Sequence, residues 1–359
     1  TATYVSDGRR IRRDEEKRQA DYQAYIAAKR QRIEELRRKE LETLRAIYIS
    51  LEEDLRRAED FDERLFERAP EDADFLRTYL GSGEIPAPNQ LKITPQEFHN
   101  GEDPLTEVPE QLAEEYRCLP DGPVTADLQG DNCLGIVGGP EALDGALRAL
   151  TADLAARHYF RDVKLAYLLG DREFASFRSL RWLPHVQAEE GGVRYLGHDE
   201  ESREMVLEGL YATLSAREAA AAENEGRNAP PLPHFVVFIY GELSLTKHPI
   251  SRYFERAGGL GCTFLFFVRH KELLPRGCGE VLFLESGGSA LVPAANAACR
   301  QTLVPAGVEA LPFRQMVQKL AATRIDQVSL EAELTQNISL FELLGLMEPE
   351  DLALEARWK

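Results

Sequence analysis

A short apolar strand that ends in glycines and runs straight into a helix is where an α/β protein commonly holds phosphate. This sequence has one such stretch, Leu134-Gly135-Ile136-Val137-Gly138-Gly139-Pro140, running into Glu141–Leu150. Backbone N–H groups at such a helix start can bind an anion. Hydrolysing a nucleoside triphosphate needs more: G-x-x-x-x-G-K-[ST], whose lysine neutralises the β- and γ-phosphates and whose hydroxyl holds Mg²⁺. No window fits. Gly139 and Gly145 stand one position too far apart, Ala146-Leu147 follow Gly145, and no lysine occurs between Lys92 and Lys164. Glu141 and Asp144 would repel an anion at that helix start.

The second requirement is an acid at the end of a central strand, to hold Mg²⁺ and polarise water. Phe235-Val236-Val237-Phe238-Ile239 is followed by Tyr240-Gly241-Glu242, so Glu242 is the acid on offer, displaced beyond the apolar run. Gly135, Gly138, Gly139 and Glu242 are therefore the candidate residues of a degenerate nucleotide site. No catalytic residue and no metal ligand is assigned. No cofactor is expected, with ATP and Mg²⁺ as the alternative occupants.

Other chemistries find less support. His99, His158, His185, His198, His234, His248 and His270 make no H-E-x-x-H pair. There is no G-x-S-x-G elbow; Gly287-Gly288-Ser289-Ala290 reads as a turn. His198-Asp199-Glu200 reads as a helix start with acids favoured by the dipole. Cys118, Cys133, Cys262, Cys278 and Cys299 are odd in number and lack a C-x-x-C pair, as suits thiols in a reducing compartment.

The elements that must position these residues follow from pattern. Val124–Leu128, Leu134–Val137, Val163–Leu169, Phe235–Ile239, Thr263–Val268 and Val281–Leu284 read as strands. Helices are expected over Pro140–His158, Ser202–Ala222 and Phe313–Thr323. Runs apolar on both faces belong to central strands covered on both sides. The alternation implies an α/β fold with a doubly wound, mostly parallel sheet, like a degenerate P-loop NTPase. Ahead of it, Asp14 to about Ile47 is rich in helix formers with a narrow apolar stripe through Tyr22, Ile26, Ile33, Leu36, Leu44 and Ile47. Ser50-Leu51-Glu52-Glu53 fits a capping box, which predicts a break near Ile49. Prolines 86, 88, 95, 104 and 109 rule out long regular elements in the next stretch, leaving short strands and a helix near 108–117. The expected division is a helical arm (1–60), a small loop-rich module (61–121), the ATPase-like domain (122–325) and a connector (326–359).

Net charge is −18, yet residues 9–45 hold 13 Lys and Arg against 8 Asp and Glu, so the acid excess lies in the body. An acidic body discourages phosphate-backbone binding, and nucleic acid is not an expected partner. No apolar run reaches the roughly 18 residues of a membrane span. The cluster Arg9-Arg10-Ile11-Arg12-Arg13 fits the cytoplasmic flank of one, or a plain charged helix start.

Leu65-Phe66-Glu67-Arg68-Ala69-Pro70-Glu71-Asp72-Ala73-Asp74-Phe75-Leu76 with Gly81 resembles an L-W-E-R-R-P-x-D-x-D-F-L element of type VII secretion ATPases, the EssC/EccC proteins of the FtsK/SpoIIIE superfamily. Asp103-Pro104-Leu105, His248-Pro249-Ile250, Lys271-Glu272-Leu273-Leu274-Pro275 and the tail Ile338–Gly345, Glu350-Asp351-Leu352 and Arg357-Trp358 add matches in order. Ala69 departs from the family's second arginine. The resemblance implies a stalk and a degenerate first ATPase-like domain between membrane spans and downstream motors of the same chain. It implies a soluble fragment at the cytoplasmic side of the bacterial cell membrane. It also implies a homo-hexamer, membrane components of the secretion channel as partners, and small helical proteins as cargo. A nucleotide-hydrolysing domain and an unrelated helical scaffold are the competing readings.

Overall fold

The computed structural model describes residues 2–93, 107–188, 194–223, 231–243, 245–285, 287–296 and 299–323. Thr1–Ala321 make one compact unit; of the second, Ala322–Lys359, only 322 and 323 are described, so the expected connector lies outside the described residues. Asp103-Pro104-Leu105 also lies outside them.

The chain opens with α1 (Ala2–Ile47) and α2 (Leu51–Asp60). The break falls where the capping pattern places it, and Ser50 Oγ accepts the Glu53 N–H at 3.4 Å. Only half of the expected box forms, because the Glu53 carboxylate turns to Arg56 at 2.9 and 2.6 Å. Then follow β1 (Arg77–Pro86), α3 (Val108–Glu115), β2 (Cys118–Asp127), β3 (Cys133–Gly138) and α4 (Pro140–Arg157). Next come β4 (Val163–Leu168), α5 (Asp171–Phe177), β5 (Leu196–Gly197), α6 (Glu200–Glu223), β6 (His234–Tyr240) and β7 (Cys262–Val268). The unit ends with β8 (Cys278–Leu284), β9 (Ser289–Pro293), β10 (Gln301–Pro305) and α7 (Ala310–Ala321).

All ten strands join one sheet in the order β2-β1-β10-β9-β8-β3-β7-β6-β4-β5. From β8 to β5 every pairing is parallel, and β4, β6 and β7 are buried along their whole length, as continuous apolar runs require. From β2 to β8 the pairings are antiparallel. The stretch read as a loop-rich module thus supplies β1, α3 and the start of β2 to the same sheet. Gly81 (φ +151°) and Gly83 let β1 lie against β10: a Cβ at Gly81 would fall on the Val304 carbonyl and one at Gly83 on the Thr302 carbonyl.

Helices cover both faces. On one, α4 and α7 bury Leu143, Leu147, Leu150, Leu154, Phe313 and Val317 against the sheet, with α2 alongside. On the other, Val206, Leu207, Leu210 and Leu214 of α6 meet Val237, Ile239, Phe264 and Phe266. No described helix is long and apolar enough to cross a membrane.

Candidate functional site

The glycine-rich loop after β3 sits where an open α/β sheet places its ligands, outside the carboxyl ends of parallel strands. Gly139 is the N-cap of α4, in extended conformation (φ −69°, ψ 161°), and Pro140 occupies the first turn, where a missing N–H costs nothing. Two clefts flank this helix start. One, of about 640 Å³, lies between Gly139, Glu141, Gly145 and the ends of β8 and β10. The other, of about 330 Å³, lies between Pro140, Asp144, Gly170, Tyr240, Glu242 and Arg269. Arg172 lines both.

The four sequence-derived candidates do not all reach one place. Gly139 borders the larger cleft, and a Cβ there would touch nothing within 4 Å. Gly138 closes β3 against Leu284, whose Cβ a side chain would meet at 3.0 Å. Gly135 lies in the middle of β3 under Leu274, where a Cβ would come within 2.6 Å of that side chain; it is a packing glycine. Glu242 lies exposed beyond Gly241, whose positive φ (+80°) turns the chain out of β6, and it borders the smaller cleft.

The smaller cleft is organised by two residues that motif reading did not single out as a pair. Tyr240, the last residue of β6, donates its hydroxyl to Asp144 Oδ1 at 2.7 Å, and that hydroxyl lies 3.4 Å from the Pro140 carbonyl oxygen. Burial, and then the Asp144 carboxylate, push the phenol well above its ordinary pKa, so it stays a donor. The Tyr240 ring lies parallel to Phe267 (5.9 Å, 4°), which stacks in turn on Phe238 and so on Tyr167. Tyr167 completes the row by meeting Thr151 Oγ1 at 2.9 Å, two turns further along α4. The only signal in the sequence is a tyrosine ending an apolar strand just before Gly-Glu.

Asp144, Glu173 and Glu242 face Arg172 and Arg269 across the smaller cleft, and no lysine lines either cleft. The set has no cation that matches the phosphate-gripping lysine of a P-loop, and Asp144 is already engaged by Tyr240. Among the described residues no three His, Cys, Asp or Glu side chains gather as a metal-binding group. His158, His185 and His234 are buried, and His198 stacks on Phe174 at 3.8 Å beside Asp199, which accepts the Ser202 N–H at 2.8 Å. Cys133, Cys262 and Cys278 are buried free thiols.

No family model matches the chain. The ESX secretion system protein YukB of Bacillus subtilis is 22% identical over 371 residues, covering 100% of this chain and 24% of YukB. The EccC protein of Geobacillus thermodenitrificans is 25% identical over 276 residues, 76% of this chain and 18% of that protein. The type VII secretion protein EssC of Staphylococcus aureus is 22% identical over 362 residues, 99% of this chain and 24% of EssC. The chain thus spans about a quarter of the length of YukB and EssC. Among solved structures, EssC (ATPases 2 and 3) from Geobacillus thermodenitrificans superposes with a TM-score of 0.47 at 14% identity, over 71% of this chain and 51% of that one. The cytoplasmic domain of Thermomonospora curvata EccC gives 0.45 at 15% identity, over 72% of this chain and 32% of that one. Matched from end to end by YukB, this chain is a relative of the type VII secretion proteins EssC, EccC and YukB.

Proposed function

We propose that this chain is a non-catalytic coupling region of a type VII secretion motor, carrying position or force between a membrane channel and ATPase domains further along the same polypeptide. In this reading residues 1–60 are the stalk, 122–325 a pseudo-ATPase domain whose sheet the 61–121 stretch extends, and 326–359 the link to the next motor. The chain works at the cytoplasmic face of a bacterial membrane within a homo-hexamer, touching channel components and no nucleic acid.

The observation that supports the reading is the Tyr240–Asp144 hydrogen bond at the glycine loop. Where a P-loop enzyme sets a lysine after its last glycine, this chain has Ala146 after Gly145, and the nearby Asp144 carboxylate is already bonded to a neutral phenol. Such a pair favours a closed, self-satisfied loop over a triphosphate. The test is hydrolysis of Mg·ATP by the purified chain. No turnover above buffer is expected, and turnover abolished by Glu242→Gln would overturn the reading.

A nucleotide-binding domain is the second reading, favoured by the open backbone at Gly139 and by Arg172 at both clefts. Calorimetry with Mg·ATP separates the two: saturable heat that Gly138→Asp removes belongs to the second reading, and none to the first.

A further inference from the structure

The segment Leu65–Leu76 is the most distinctive motif in the sequence, yet it touches neither cleft. It lies at the joint between α1 and α2. Arg68 is buried there and donates to three carbonyl oxygens: Ile47 at 3.1 Å, Arg77 at 2.6 Å and Asp74 at 3.4 Å, with the Asp74 carboxylate 3.1 Å from Nε. Its guanidinium also lies over the Tyr48 ring at 5.5 Å. Ile47 ends α1, so Arg68 satisfies one of the carbonyls a helix leaves open at its carboxyl end.

A second buried arginine completes the joint. Arg157, the last residue of α4, donates to the Ile49 carbonyl at 2.6 Å. It holds Asp54 of α2 through two bonds at 3.0 and 2.9 Å, and Asp153 lies 3.0 Å away. Asp153 accepts from Thr78 of β1 at 2.7 Å, and His158, the residue after Arg157, accepts the Leu76 N–H at 3.0 Å. Arg57, also buried, holds Glu67 at 2.9 Å.

The same helix that ends on this joint begins at the glycine loop. Asp144 near its start is tied to Tyr240, Thr151 at its middle to Tyr167, and Arg157 at its end to Ile49 and Asp54. At 1.5 Å rise per residue, Asp144 and Arg157 are about 20 Å apart along one unbroken helix. A half-buried bond at the cleft end, buried bonds at the joint and a packed apolar face between make α4 move as one body.

From this geometry we infer that α4 is a transmission rod. It couples the state of the smaller cleft, at Asp144 and Tyr240, to the angle at which α1 leaves the body, with Arg68 and Arg157 as the clamp at the far end. The inference deepens the coupling role proposed above and rests on it. It needs no nucleotide for its test, so ATP turnover would overturn the role without touching the rod.

The test is hydrogen–deuterium exchange on the whole chain. Tyr240→Phe removes one hydroxyl at the cleft and keeps the ring stack. It is expected to speed exchange of the amides of residues 51–58 at least threefold, while α6 residues 206–214 stay unchanged. Asp54→Asn, made at the joint, is expected to speed exchange at residues 141–147 in return. Acceleration confined to the mutated end in both variants overturns the inference. So does an equal rise everywhere, α6 included, which would make Tyr240 a matter of global stability only.

Discussion

Leu76 donates its backbone N–H to the Nε2 of His158 at 3.0 Å, with both residues shut away from solvent. The ring is thereby required to be neutral, with Nδ1 carrying the proton toward the Leu154 carbonyl at 3.1 Å. Burial, with Arg68 nearby, holds His158 down to about 3; burial alone dominates at His185, down to about 4, and at His234, down to about 3.

Acid stability follows from those three rings. Their folded pKa values lie below the ordinary 6.5, so their contribution is complete above about 6.5 and is lost as pH falls toward 4. Below 6.5 the unfolded chain takes up protons that the folded chain refuses. Thermal melts from pH 7 to 4.5 should show a fall in Tm shallower than three histidines alone would give, because the Asp54 and Glu280 carboxyls, both raised to about 7 by burial, take up protons in the folded chain over the same range. His158→Gln should melt lower at pH 7 but lose less on acidification.

At the joint, Arg157→Met strands two buried carboxylates, Asp54 and Asp153, and opens the Ile49 carbonyl. Removing one partner of a buried ion pair costs about 3–5 kcal/mol, which urea unfolding would register as a lower midpoint. Arg56→Met on the exposed face of α2, paired with Glu53 and Asp60, should cost no more than about 1 kcal/mol.

Where β1 lies against β10, Gly83→Ala forces a methyl group onto the Thr302 carbonyl. The strands must part, at a cost of about 1–3 kcal/mol by the usual scale of overpacking. Equilibrium unfolding measures it, and Gly145→Ala, whose Cβ meets nothing within 4 Å, is the matched control. The control should be neutral or slightly stabilising, since alanine outranks glycine in a helix.

Arm and body should separate in their response to charge. Ile33 is half-buried in a groove with Leu36, Pro88 and Leu91, on the stretch of α1 where Arg37 holds the Asn89 carbonyl at 2.7 Å and Tyr116 donates to Glu34 at 2.8 Å. Ile33→Glu should loosen that seam yet leave the cooperative melt of the sheet within about 1 kcal/mol of the parent. A collapse of the whole transition would make the arm part of the core.

Much of this architecture is legible from pattern alone. The fully apolar runs at 235–239 and 263–268 could only be covered strands, and they are. Ser50 and Glu53 mark the helix break, although the glutamate prefers Arg56 to closing the box. What pattern could not give is how the antiparallel half of the sheet pairs, although Val124–Leu128, at the end of β2, is legible as a strand. Arg77–Pro86 carries three small residues, a proline and alternating exposure, so its pairing rests on Gly81 and Gly83 meeting a backbone far along the chain. Distant partners leave no local period to read. The glycine loop was legible as a place but not as a state. Gly139 and Glu242 border the clefts, whereas Gly135 turns out to be roofed by Leu274. Tyr240 gains its meaning from Asp144, almost a hundred positions away.

The pairing of Gly81 with Pro305 has a consequence for biogenesis. A ribosome releases β1 and β2 long before β10 exists, since Gln301 comes about 174 residues after Asp127 ends β2, so the early hairpin must wait with an open edge. Until then its exposed edge is a template for the wrong strand. Shortened polypeptides that stop before residue 301 should aggregate during synthesis, and the finished chain should need slow growth or a chaperone to accumulate as soluble protein.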